Sequence, residues 1–402
     1  MKRALLIVLI LLLSAGSVFA AGQQEFDGTS FELWTQEGES EGAFDYVESL
    51  AEGYMEENPD VLIDVVQKGT EDLREDYLNA ALAGAPPALL WTVNDHAGPF
   101  QAAGTIQTVD HMYNADEHVD PVTIGNDVLG VPISSGNHLM LYYNRSIIDE
   151  PPQTTDELIE MAQALDDDTY GLVYNMTEPF WLVPWLGGFG GEVFGADGVT
   201  PTLDTPEMIQ TLEFLHALTH EYGITPVEAD YGTMETLFLD GEAAMAINGD
   251  WALSQAENAL GDDLGVAPWP TVSETGMDPA PFTSGKYYMV SDEVEGETAE
   301  AVEDFIRWSI SEENQIDMAQ TLTRLPGHLG ALESPEISDD EIFEQSARAL
   351  AQGVPQPAVV EMRANWDAML PSMNAVLADN MTPEEAAAEM QRVAEEAIRA
   401  LD

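Results

Sequence analysis

The chain has 402 residues, with 74 Asp+Glu against 12 Lys+Arg, no cysteine and a formal net charge of −62. Such a length exceeds one small core and predicts two lobes of about 150 to 200 residues each. The charge argues against nucleic acid and anionic membrane surfaces as partners, and the missing cysteines exclude disulfides, thiolate metal sites, a cysteine nucleophile and a lipid-bearing cysteine anchor.

Residues 1–20, MKRALLIVLILLLSAGSVFA, set Lys2 and Arg3 before an apolar run and close on small residues, which predicts a cleaved signal peptide with Ala21 as the mature terminus. The run is short for a membrane span. The mature protein is therefore expected free in a periplasm, or secreted where there is no outer membrane. Losing Lys2 and Arg3 would leave ten cationic residues against 74 acids, a net charge of −64. Self-repulsion on that scale suits an exported protein of a salt-loving organism, because concentrated salt screens it.

After the leader, strands alternate with helices. Residues 31–34, 61–66 and 88–91 read as strands, and 42–58 and 70–82 as helices, the first ended by Pro59. The rhythm predicts a mainly parallel α/β sheet with ligands at the carboxyl ends of its strands. Trp34 and Trp91 fall at such ends, where a core-filling role is less expected. Further on, Thr154 with Glu157 reads as a capping box and Thr205-Pro206 as a helix start, with Ile209, Leu212, Leu215 and Leu218 on its buried side and a stop at Gly223. Thr382 with Glu385 caps the last helix. No linker separates two halves, so the chain is expected to cross between lobes more than once.

Three motifs fall short of a site. His216 and His220 share a helical face with Glu213, but the metal motif HExxH is absent and ordinary polar helix residues fit better. Asp166 to Asp168 opens like a calcium loop, yet Tyr170 and Thr177 stand where ligands are needed. The glycines at 187–191 lack phosphate-loop spacing. Neither cofactor nor metal is expected.

Tryptophan is more informative. Residues 178–191, EPFWLVPWLGGFGG, hold Phe180, Trp181, Trp185 and Phe189 behind Glu178. Trp91, Trp181, Trp185, Trp251 and Trp366 all lie near turn residues or acids, among them Asp95, Glu178 and Asp250. Rings stack on the C–H faces of a pyranose and carboxylates accept its hydroxyls, so the 178–191 stretch is expected to form one wall of a sugar cleft.

Residues 237–253, LFLDGEAAMAINGDWAL, resemble the signature segment of the extracellular sugar-binding proteins of bacterial ABC transporters, the maltose/maltodextrin binders in particular. FELWTQEG, PPALLWTVND, LMLYYNRSIID and the ANWDAML region follow in the same order over nearly all of the mature chain. The resemblance implies the two-lobe α/β periplasmic-binding-protein fold of class II type, with a ligand cleft between lobes joined by hinge crossings near Ser134, Phe282 and Leu332. It implies an N-terminal lobe of 21–133 with 283–332 and a C-terminal lobe of 134–282 with 333–402. Trp91, Trp251 and Trp366 become stacking platforms, and Asp95 and Glu178 hydroxyl acceptors. Phe180 stands where the maltose binders have tyrosine, and Trp181 lies beside it. Trp34, Glu37 and Glu39 contribute from the first loop, and Lys286 bonds a hydroxyl or a hinge-surface acid.

Departures bear on the ligand. His96 replaces an arginine, Asp250 replaces a proline, and the segment 134–138, which carries Asn137, is one residue longer and lacks a glutamate. The implied function is capture of a carbohydrate (maltose, maltodextrin or a related α-glucoside such as trehalose) by a monomer that delivers it to a membrane permease, without catalysis. The alternatives are a binder for another oligosaccharide or small solute in the same fold, and a secreted glycoside hydrolase.

Overall fold

The computed structural model describes residues 26, 28–39, 42–166 and 168–401. The expected leader and the terminus expected at Ala21 lie outside them. Strands β1 (Thr29–Thr35), β2 (Val61–Gln67) and β3 (Leu89–Val93) are joined by helices over Ala43–Glu57 and Thr70–Leu82. The first helix stops one residue before Asn58, which precedes Pro59 and is biased out of the helical region by it. In β1, Phe31, Leu33 and Thr35 point inward between the outward Ser30 and Glu32. All five residues of β3 are buried, as in a central strand covered on both faces.

β4 (Val122–Ile124) and β5 (Asp127–Pro132) complete the first passage of the chain. It then enters a second sheet made of β6 (Leu139–Asn144), β7 (Tyr170–Tyr174), β8 (Ala243–Gly249) and β9 (Leu264–Ala267). A short β10 (Phe282–Thr283) leads back to β11 (Lys286–Val290), and β12 (Val354–Pro355) comes last. Among the described residues the first sheet has the order β2-β1-β3-β11-β5-β4 and the second β7-β8-β6-β9. Each sheet has its own core. Phe31, Tyr54, Trp91, Tyr288 and Phe305 belong to the first; Leu141, Trp185, Leu212, Trp269 and Met369 belong to the second.

The sheets are mixed, not mainly parallel. β1 runs parallel to β2 and β3, and β7 to β8, but β11 opposes both β3 and β5, and β6 opposes both β8 and β9. The cause is where the chain enters. β1, β3, β7 and β8 run toward the region between the sheets and end there. A chain arriving from the other sheet must start at that end and run away from it, as β6 and β11 do.

The helix starts behave as their caps dictate. The Thr205 hydroxyl accepts from the Met208 N–H, and Thr382 and Glu385 form a reciprocal capping box. At Thr154 only half the box forms: its hydroxyl accepts from Glu157 N at 3.2 Å, while the Glu157 carboxylate takes the Gln153 N–H at 2.8 Å. Leu212, Leu215 and Leu218 are buried and Ile209 is partly so; the helix ends at His220, before the left-handed Gly223.

Between the sheets the connecting segments lie side by side. Ser135 N donates to Leu325 O (2.9 Å), Gly136 and Ser284 exchange backbone bonds (3.1 and 2.8 Å), Gly327 N donates to Ile133 O (3.1 Å), and Gln356 N donates to Thr283 O (2.9 Å). The backbone is pinned further at Gly136, whose φ of 143° suits glycine and where a Cβ would meet an Asp250 carboxylate oxygen at 2.1 Å.

The net charge of −62 has a measurable consequence. The thermal unfolding midpoint is expected to climb between about 0.1 M and 1 M NaCl, as the Debye length shortens from about 10 Å to about 3 Å and carboxylate repulsion is screened. Circular dichroism melts across a salt series check this; a flat midpoint contradicts it.

Candidate functional site

The strand ends that face the other sheet open into a cleft of about 650 Å³. Its first wall is built by turns following β1 and β3. After β3 the chain makes a single 3-10 turn, Asn94–His96, before the helix Ala97–Ala103, and this turn sets Asp95 on the cleft. His96 lies behind it, 2 % exposed, with Nδ1 2.7 Å from the Thr92 hydroxyl. Burial, followed by the positive charges of Arg74, Lys286 and Arg363, pushes its imidazole down to about 3, so it is neutral at physiological pH.

The second wall follows β7 and β8. Asn175 caps its own turn by accepting from the Thr177 N–H (3.1 Å) and hydroxyl (2.7 Å), which presents Glu178 and the turn Pro179–Trp181. Trp181 is tied down by donation from Nε1 to Ile247 O at 2.8 Å. Trp251 follows β8 directly, and its indole lies over Gly249, where a Cβ would stand 2.2 Å from the ring. Phe180 gathers this wall together: its ring centroid is 6.1 Å from that of Trp251 and 6.3 Å from that of Trp366.

Several bonds join the walls. Trp366 Nε1 donates to Asp95 Oδ2 (3.3 Å), Asn94 Nδ2 donates to Gln356 O (2.8 Å), and Arg363 pairs with Glu71. Deeper in, Glu37 and Arg324 form an ion pair at 2.8 Å with both side chains 2 % exposed. Arg324 also donates to Trp251 O (3.3 Å), and Trp91 Nε1 donates to Glu37 (2.7 Å). Burial alone would raise the Glu37 carboxyl. The charges of Arg324 and Lys286, with the bonds from Arg324 and Trp91, instead hold it below its ordinary value. Lys286 is buried beside this pair, 3.2 Å from Asn137 Oδ1 and 6.0 Å from the Trp251 ring centroid.

The two acceptors on the open walls differ from Glu37. Enclosure by the cleft raises Asp95, with Glu71 adding and the Trp366 bond and the Arg74 charge opposing. Glu178 is pushed up to about 7 by enclosure and then by the Glu71 and Asp95 carboxylates. Its side chain is still reached by solvent within the cleft, so that shift belongs to a partly wet group and is sensitive to closure.

Of the residues singled out in the sequence, Glu37, Asp95, His96, Asn137, Glu178, Phe180, Trp181, Trp251, Lys286 and Trp366 meet at the cleft. Trp91 does not. It is 1 % exposed in the first core, 5.4 Å from the Tyr288 ring, and reaches the site only through Glu37. The expectation that a strand-end tryptophan avoids the core fails here because Tyr288, its cross-strand partner on β11, and the rest of the first core pack over the ring. Trp34 lies away from the cleft, with Lys68 Nζ 4.5 Å over its ring and Nε1 bonded to Glu32. Glu39 is exposed in the turn beyond Glu37 and is not on the lining. The 178–191 stretch is only half a wall: Trp185 and Phe189 turn into the second core, Trp185 packing 4.9 Å from Trp269. Asp250 is buried behind the site, accepting from Asn137 N at 3.1 Å. His216 and His220 stack at 4.2 Å, and among the described residues no group of three His, Cys, Asp or Glu is placed to hold a metal.

Sequence reasoning missed Glu71, Tyr231, Arg324 and Arg363. Tyr231 lines the cleft and accepts the Trp251 Nε1 proton at 2.9 Å. The scarcity of cations was a usable signal for Arg324 and Arg363, as it was for Lys286. Nothing local marks Glu71 or Tyr231, which reach the site from the first turns of helices.

A pair of α/β sheets with a ligand-sized cleft at facing strand ends, walled by rings and carboxylates, defines a solute-binding protein. The sequence matches the family described as bacterial extracellular solute-binding protein over residues 49–345, and the chain belongs to that family. It is 28% identical over 343 residues to the maltotriose-binding protein of Pyrococcus abyssi, covering 83% of this chain and 74% of that one. The maltose/maltodextrin-binding domain MalE from Bdellovibrio bacteriovorus, solved with maltotriose, superposes with a TM-score of 0.87 at 32% identity, over 92% of this chain and 100% of that one. The Thermus thermophilus maltotriose-binding protein shares the fold, with a TM-score of 0.84 at 22% identity over 92% of this chain and all of the other.

Proposed function

We propose that this protein is the extracellular capture component of an ABC importer, taking up an α-glucan oligosaccharide such as maltose or a maltodextrin and handing it to the membrane permease. One observation carries the reading: Phe180, Trp251 and Trp366 make an aromatic panel on one wall, and Asp95 faces it from the other. Such a pairing suits a pyranose, with flat apolar faces and a rim of hydroxyl donors. The ligands of the Pyrococcus and Bdellovibrio relatives agree with it. The reading includes export by the leader at 1–20, a monomer in the periplasm or the medium, and lobes of 21–133 with 283–332 and of 134–282 with 333–402. It also includes binding without hydrolysis.

Closure on the sugar is the expected signal to the permease, since a ligand touching both walls favours the closed state by its extra contacts there. Calorimetry with maltotriose is expected to give saturable one-to-one binding, small-angle scattering a smaller radius of gyration, and chromatography an unchanged sugar. Glucose or maltose released from maltotriose would favour a hydrolase; no heat with any maltodextrin would overturn the reading.

A further inference from the structure

The charges on the cleft do not balance, and the imbalance is local. Glu37 has Arg324 and Lys286; Glu71 has Arg74 and Arg363; Asp367 has Arg363. Among the described residues Asp95 and Glu178 form no ion pair, nor does Asp72 on the same lining, although the Arg74 charge acts on Asp95 without pairing with it. The polar partners of the first two are the Trp366 indole N–H, at 3.3 Å from Asp95, and the Asn175 amide, at 3.3 Å from Glu178. His96, next to Asp95, brings no positive charge, because its buried ring is neutral and bonded to Thr92. Beside these two acids stand the rings of Phe180, Trp251 and Trp366, whose negative π faces favour a cation as well as a sugar face.

A neutral maltodextrin can donate hydroxyls to both carboxylates, yet closure on it seals two like charges in one enclosed space. A ligand bearing an ammonium group removes that repulsion and gains charge-assisted hydrogen bonds. Resting on the carbohydrate reading above, we propose that the preferred ligand is an amine-bearing oligosaccharide, with Asp95 and Glu178 holding its ammonium group and the aromatic panel its sugar faces. Every shift acting on Glu178 is in the raising direction, as expected of a carboxylate that lacks its counter-charge.

The test compares maltotriose with α-1,4-linked triglucosamine, which differs by an ammonium in place of the C2 hydroxyl on each ring. Calorimetry of the full-length mature protein is expected to show the triglucosamine binding about tenfold or more tighter. The preference should pass through a maximum with pH, falling in acid as Glu178 takes up a proton and falling again at higher pH as the sugar amines, weaker bases than lysine, lose theirs. It should survive in 1 M NaCl, where a diffuse pull from the acidic surface is screened within about 3 Å. In Asp95→Asn/Glu178→Gln, checked for folding by its melting curve, the preference should vanish while maltotriose still binds more weakly. Equal or weaker binding of triglucosamine, with maltotriose bound, overturns the inference and leaves the carbohydrate reading standing. A preference that disappears in salt, or persists in the double variant, overturns it too. Failure of both ligands to bind overturns both.

Discussion

Arg324→Met is expected to destabilise the protein by about 3–5 kcal/mol, because it leaves the Glu37 carboxylate buried without the guanidinium it pairs with, Lys286 being the positive charge that remains. Urea unfolding measures this, and the double variant Glu37→Gln/Arg324→Met should recover much of the loss, since it also removes the carboxylate left without that guanidinium. Acid should reveal the same pair. The Glu37 carboxyl is held below its ordinary value in the folded state, so its stabilisation is complete above the ordinary carboxylate range. It is lost only as the pH falls through the depressed folded value. Arg324→Met should therefore narrow its deficit relative to the parent in strong acid. A single variant as stable as the parent would mean that the pair is not sealed from water in solution.

Trp251→Ala and Trp366→Ala are each expected to weaken maltotriose binding by about 1–3 kcal/mol, roughly 5- to 150-fold, with a much smaller change in melting temperature. Both rings are only partly buried and pack against the second core from its cleft side. Trp366→Phe separates two contributions. It keeps an aromatic face but loses the indole N–H that reaches Asp95 across the cleft. Equal losses of stability and affinity in the alanine variants would place these rings in the core and remove them from the sugar panel.

What the sequence made legible was local. The helices at 43–57 and 70–82 follow from the alternation of strand and helix patterns and the stop at Pro59, and the caps at Thr205 and Thr382 from residues within one turn of each start. Asp95 could be placed because it follows the strand end at Trp91, whereas Glu178 and Trp251 were legible from the rings and acids clustered around them and from the family resemblance. Strand direction was not legible. It depends on the end at which β6 and β11 enter their sheets, which no short segment encodes. Trp91 shows the same limit: its strand end was plain, but Tyr288, from a strand far along the chain, decides that its ring is covered. Glu71, Arg363 and Tyr231 acquire their positions only when the two walls meet.

The buried Glu37–Arg324–Trp251 clasp and the solvent-exposed Arg363–Glu71 pair both tie one wall to the other, at unequal depth. For lobes swinging about the connecting ribbon, travel grows with distance from the pivot, so the clasp barely moves while the outer pair separates widely. The outer pair is therefore expected to act as a brake on escape. Loosening it should shorten the residence time of a bound sugar by speeding its departure, with little effect on how fast the sugar arrives. Brine loosens it as well, because an exposed ion pair is weak and screened. The same protein should thus turn over its cargo faster in concentrated salt than in dilute buffer, which suits a carrier whose task is to let go.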